Sequence, residues 1–149
     1  MQNQNSNVEG QYKTLSVIWL ALLVSQLMFL VVLFFAKREI YNQDFSKPLL
    51  GENPLITIIF LALALSTVLM SFVLRKKFLS QAIIEQKPAL VQTAMIVGCA
   101  LCEAATLFGL VLAFAFNYQY FFLWFALGIL GVILHFPYRE NLIAASYKR

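Results

Sequence analysis

Of the 149 residues, 61% are hydrophobic and only 12% are charged, and the mean hydropathy is +0.78, which excludes an ordinary soluble globular domain. The formal net charge of +4 does not point to nucleic acid, because the bases sit in short loops and at the termini, not in a patch. The composition predicts an all-α integral membrane bundle whose partners are the lipid bilayer and other membrane subunits or copies of itself.

In chain order, residues 1–14 form a polar tail with one base, Lys13, and lack the basic start of a secretory leader. The apolar run that follows is too long for a leader and reads as a retained span. Four stretches can cross roughly 30 Å of hydrocarbon as helices: 15–35, 55–74, 89–116 and 118–136. Pro54 and Pro88 precede the second and third, where a missing N–H does least harm. The third and fourth share one hydrophobic run, broken at "NYQY" (117–120), which predicts a tight turn with Tyr118 and Tyr120 as interface anchors. The segment 36–54 reads as a connector against the membrane surface, and 138–149 as a short interfacial anchor.

Four spans put the tails and the loop after the second span on one side, with Lys13, Arg75, Lys76, Lys77, Lys87, Arg139, Lys148 and Arg149. The other side has Lys37, Arg38 and Lys47. Eight bases against three place both termini in the cytoplasm, and a bacterial inner (plasma) membrane fits the chain.

Glu103 lies at the centre of the third span, in "ALCEAATLFGLVLAF" (100–114). Intramembrane acids mark ion paths, proton relays or paired contacts. Ser25 and Gln26 of the first span and Ser66 and Thr67 of the second fall at the same counted depth, so Gln26, Ser66 and Thr67 are candidate partners. Hydrocarbon disfavours a bare carboxylate, so a protonated, hydrogen-bonded Glu103 is the expected resting form. Either the proton exchanges, or the group is a fixed strut worth about 1 kcal/mol.

Ala94, Gly98, Cys102, Ala105, Gly109 and Ala113 make a small-residue stripe suited to close helix packing, within the chain or against another copy. Gly128 and Gly131 allow the same in the fourth span. Cys99 and Cys102 are spaced C-x-x-C, but too few ligands accompany them for a metal. His135, counted roughly 18 Å from the depth of Glu103, reads as a boundary residue. No nucleophile–base set or phosphate loop is present in the sequence, so neither catalysis nor a cofactor is expected.

Residues 55–115 resemble the helical hairpin of the rotary ATPase proteolipid, the c subunit of ATP synthases. There a small-residue helix and a short polar loop lead to a helix with an ion-binding acid in a pattern like A-L-x-E-A-x-x-x-x-G-L-V-x-A-F. "ALCEAATLFGLVLAF" follows that pattern, "EQKP" with Gln86, Lys87 and Pro88 resembles the cytoplasmic loop, and "ALALS" (62–66) stands where the ladder of small residues would be. The resemblance implies that Glu103 binds an ion and helps translocate it. Ala104 follows the acid where sodium-binding members carry a hydroxyl, so the implied ion is a proton. The first and last spans do not repeat the hairpin. The alternative is a non-catalytic accessory or assembly subunit of a larger respiratory or photosynthetic membrane complex.

Overall fold

The computed structural model describes the backbone of residues 2–42, 44 and 46–146, and side chains from residue 8 onward. It consists of α1 (Gln2–Ala36), a 3-10 turn (Arg38–Tyr41), α2 (Pro54–Glu85), α3 (Pro88–Phe116), α4 (Phe122–Leu134) and α5 (Arg139–Ser146). Val8–Ala36, Pro54–Glu85 and Pro88–Phe116 are each long and apolar enough to cross a membrane. The fourth expected span is a 13-residue helix, α4, joined to α5 at a bend of 46°.

Backbone chemistry sets the helix ends, and polarity does not. Pro54 and Pro88 open α2 and α3 at their first turns. α2 stops where Gln86 turns left-handed at φ 52°, with the Lys87 N–H returning to Ala82 O at 3.0 Å. α3 stops in the same way at Asn117, φ 49°, with Tyr118 N–H on Leu112 O at 3.2 Å. Two helices run on past the expected spans. α2 does not end at Leu74 but carries Arg75, Lys76 and Lys77 on to Glu85, so the turn to α3 is only Gln86 and Lys87. The polar stretch 1–14 is drawn into α1, which is helical from Gln2, with Val8 buried.

α3 is the central element, packed by α2, α4 and α1. Its small-residue stripe is buried, and part of it meets α4 of the same chain. A Cβ on Gly98 would strike the His135 ring, one on Gly109 would lie 2.5 Å from Trp124 Cβ, and one on Gly131 would lie 2.6 Å from Cys102 Sγ. Trp19 adds α1 to α4 by donating its indole N–H to Val132 O at 2.7 Å. Two apolar clusters result, one around Leu33, Leu112, Phe121, Trp124 and Phe125, the other around Leu15, Met95, Cys99, Val132 and Leu142. Polar side chains lie between them.

Both ends of the bundle are closed by the chain itself. Tyr118 and Tyr120 are buried instead of anchoring at the lipid interface, and their hydroxyls donate to Leu49 O (2.7 Å) and Lys47 O (2.9 Å) in the connector before α2. Gln119 pairs with the backbone of Asp44 through both amide atoms, at 2.7 and 3.2 Å. Lys37 Nζ donates to Phe114 O at 2.7 Å and to Asn117 Oδ1, placing a cation on the negative end of the α3 dipole. Lys37→Met is expected to cost about 1 kcal/mol, read as a fall in thermal midpoint of the detergent-solubilised protein.

At the opposite end α5 packs on α1, α2 and α3, with Leu142 and Ala145 buried and Arg139 paired to Glu9 at 3.3 Å. The segment expected as an interfacial anchor is therefore, up to Ser146, a lid over the helix ends. Lys148 and Arg149 lie outside the described residues.

Candidate functional site

Glu103 projects from the middle of α3 toward α1 and is half-buried. Ser25 Oγ lies 2.7 Å from Glu103 Oε1 and 2.8 Å from Leu22 O of its own helix. A serine hydroxyl has one hydrogen and two lone pairs, so this placement serves two states. An ionised Glu103 accepts the Ser25 hydrogen. A protonated Glu103 donates to Ser25 Oγ, while Ser25 donates to Leu22 O. The heavy atoms need not move between the two.

The partners counted at this depth separate once side chains have directions. Gln26, the neighbour of Ser25, faces the interior with no exposed surface, and its Oε1 accepts from Thr106 Oγ1 at 2.9 Å instead of meeting Glu103. The Gln26 Nε2 group is buried without a partner among the described residues. Ser66 donates to Leu63 O at 2.8 Å and Thr67 to Ala64 O at 2.9 Å. Hydroxyls in an apolar helix bond their own turn by default. Among the described residues neither reaches Glu103. The expected set of Gln26, Ser66 and Thr67 around the acid is thus replaced by Ser25 alone, with Gln26 and Thr106 forming a second pair one turn inward.

Sequence reasoning missed a second polar line. Cys102, beside Glu103 but facing inward, donates its S–H to Ser71 Oγ of α2 at 3.4 Å, and its sulfur lies 3.9 Å from His135 Nδ1. That nitrogen is also 2.7 Å from Gly131 O, so it carries a proton, and Nε2 lies buried beside Gly98 without a hydrogen-bond partner among the described residues. His135 is therefore not the boundary residue expected from counting. The register of Gly109 beside Trp124 and Gly131 beside Cys102 puts it about one and a half turns, roughly 7 Å, from the depth of Glu103. The signal available in the sequence was the run of small residues at 98, 102 and 131, which opens room for an imidazole.

Arg75 completes this line. Its Nη1 donates to Leu134 O at 2.8 Å and its Nη2 to Phe136 O at 2.9 Å, closing the C-terminal carbonyls of α4. Cys99 and Cys102 are buried free thiols. Among the described residues no three His, Cys, Asp or Glu side chains gather as a metal-ligand group. In the turn between α2 and α3, Gln86 Nε2 donates to Ile83 O (2.7 Å) and Ala144 O (3.4 Å), Lys87 pairs with Glu85 at 2.8 Å, and Pro88 opens α3.

Comparison with known protein families, with curated proteins and with solved structures finds no match to this chain.

Proposed function

We propose that the protein binds an exchangeable proton at Glu103, within a multi-pass bundle that holds both termini in the cytoplasm of a bacterial inner membrane. The observation that carries this reading is the Ser25 hydroxyl, placed to accept from the protonated acid and to donate to the ionised one at the same 2.7 Å. A fixed strut has no need of a partner that suits both states. Half-burial of Glu103 at the seam between α1 and α3 leaves the carboxyl a route to the outside of the bundle. The likeness of residues 55–115 to the ATP synthase c-subunit hairpin supports the same role, with the proton as the ion and no cofactor. The excess of Lys and Arg on the side of the termini supports the orientation.

Carbodiimide labelling in native membranes tests this, since the reagent attacks protonated carboxyls reachable from lipid. The expected result is modification at Glu103 that fades as pH rises and is absent in Glu103→Gln. Reaction only after denaturation would overturn the proposal.

One observation favours a second reading, an accessory subunit of a larger respiratory or photosynthetic complex. α1 and α4 cover α3 within the chain, so the flanks that a ring of identical hairpins shares between copies are occupied. That reading predicts stoichiometric co-purification with larger membrane subunits from mild detergent.

A further inference from the structure

Two cavities meet under the connector before α2, at the end of the bundle away from α5. The first, of about 380 Å³, is lined by Lys47, Glu52, Asn53, Asn117 and Gln119, a volume within the about 300–1,000 Å³ usual for small-molecule sites. The second is a narrower slot of about 110 Å³ between α2 and α4, lined by Leu49, Leu50, Leu61, Leu123 and Leu127. Thr57 and Tyr118 line both, so the two adjoin, polar above and apolar below. Leu49 and Leu123 on the rim of the slot are themselves exposed, at 60% and 44%. The slot therefore opens on the hydrocarbon side of the helices.

Lys47 and Glu52 line the same polar cavity, yet among the described residues neither forms an ion pair with the other or with any third group. The nearby acid Asp44 is engaged, accepting from the Ser46 amide at 3.1 Å and from its hydroxyl at 2.6 Å. Lys47, which also lies in the field of Asp44, and Glu52 put one charge of each sign on this lining, which suits a ligand that carries both charges. Glu52 opposes a purely anionic headgroup, and Lys47 opposes a purely cationic one.

We propose that this end of the bundle binds a diacyl phospholipid with a phosphoethanolamine headgroup, its phosphate on Lys47, its ammonium on Glu52 and one acyl chain in the leucine slot. The chain leaves hydrocarbon to enter hydrocarbon, so the slot positions the lipid and the headgroup selects it. An ethanolamine ammonium can donate hydrogen bonds to Glu52 and to the Asn53 and Gln119 carbonyl oxygens, which a trimethylated ammonium cannot. The site does not depend on Glu103.

Native mass spectrometry of the full-length protein in detergent, with dioleoyl phosphatidylethanolamine, phosphatidylcholine and phosphatidylglycerol at equal concentrations, tests the proposal. The ethanolamine lipid is expected to predominate as adduct by about tenfold, the scale of one charge-assisted hydrogen bond. Glu52→Gln is expected to erase that preference, and Lys47→Gln to weaken all three lipids. Both side chains are exposed, so both variants should fold. Arg38→Gln, which removes a charge from the adjoining cavity that shares Lys47, Asn117 and Gln119 with this one, is expected to leave the preference for the ethanolamine lipid in place. Equal adducts of all three lipids, a preference for phosphatidylglycerol, or a pattern indifferent to Lys47→Gln and Glu52→Gln would overturn it.

Discussion

Gly128→Ala is expected to lower the stability of the bundle by about 3 kcal/mol, the upper part of the range for overpacking a tight core. The added methyl would overlap Thr106 Oγ1 and lie 2.8 Å from Cys102 O, a backbone atom that cannot step aside alone. Thr106 is β-branched and has few rotamers to escape into. Rotating it also breaks its 2.9 Å bond to Gln26 and leaves that amide, already short of one partner, with none among the described residues. Gly10→Ala is the contrasting substitution. Nothing lies within 4 Å of a Cβ there, and the residue is inside α1, so alanine is expected to raise stability by up to about 1 kcal/mol. Chemical or thermal unfolding in detergent, followed by helical circular dichroism, reads both. A neutral Gly128→Ala would mean that α3 and α4 are not in this contact.

Arg75→Met is expected to cost about 2 kcal/mol, because two charge-assisted bonds to the end of α4 are lost at once. The Leu134 carbonyl lies in the last turn of α4 and that of Phe136 just beyond it, where no following N–H of the helix can serve them. Arg75→Lys should recover part of the loss, since a single ammonium cannot span two carbonyls in the fork geometry of a guanidinium. The adjacent, exposed Lys76 and Lys77 provide the control. Their methionine variants are expected to stay within about 0.5 kcal/mol of the parent. Equal losses at all three positions would assign the effect to general surface charge and not to the cap.

How much of this was legible in the sequence depended on what kind of force set each feature. α3 was read to within a residue because its limits are covalent facts, a proline at 88 and a chain reversal at Asn117. The expected second span stops at Leu74, before Arg75–Lys77, whereas the helix runs eleven residues further, because charged residues with no breaker among them continue a helix. The middle of the helix is near Met70, whereas the middle of the expected span is near Leu65. Ser66 and Thr67 were then set level with Glu103, and Ser71, the hydroxyl that meets Cys102, was overlooked.

For the site, counting residues gave depth but not direction. Ser25 and Gln26 are neighbours about 100° apart around α1, and which of them meets the acid follows from the rotation of α1 against α3. That rotation is a packing result, fixed by contacts such as Trp19 on Val132 O that join positions 113 residues apart. The burial of His135 was hidden for a related reason. Its depth depends on the register of α4 against α3, which the residues of the turn at 117–121 determine.

The unequal helix lengths have a mechanical consequence for the surrounding bilayer. At 1.5 Å per residue α1, α2 and α3 measure roughly 52, 48 and 44 Å, and α4 only about 20 Å. The apolar runs 15–35 and 55–74 within α1 and α2 match a hydrocarbon layer roughly 30 Å thick, whereas α4 by itself falls short of it. Lipids beside α4 must shorten or tilt to meet its ends, at a cost of fractions of a kcal/mol per Å of mismatch. The wall at α4 is the thin side of the molecule. Copies of it, or any partner with a short apolar belt, lower the total deformation by placing their thin sides together.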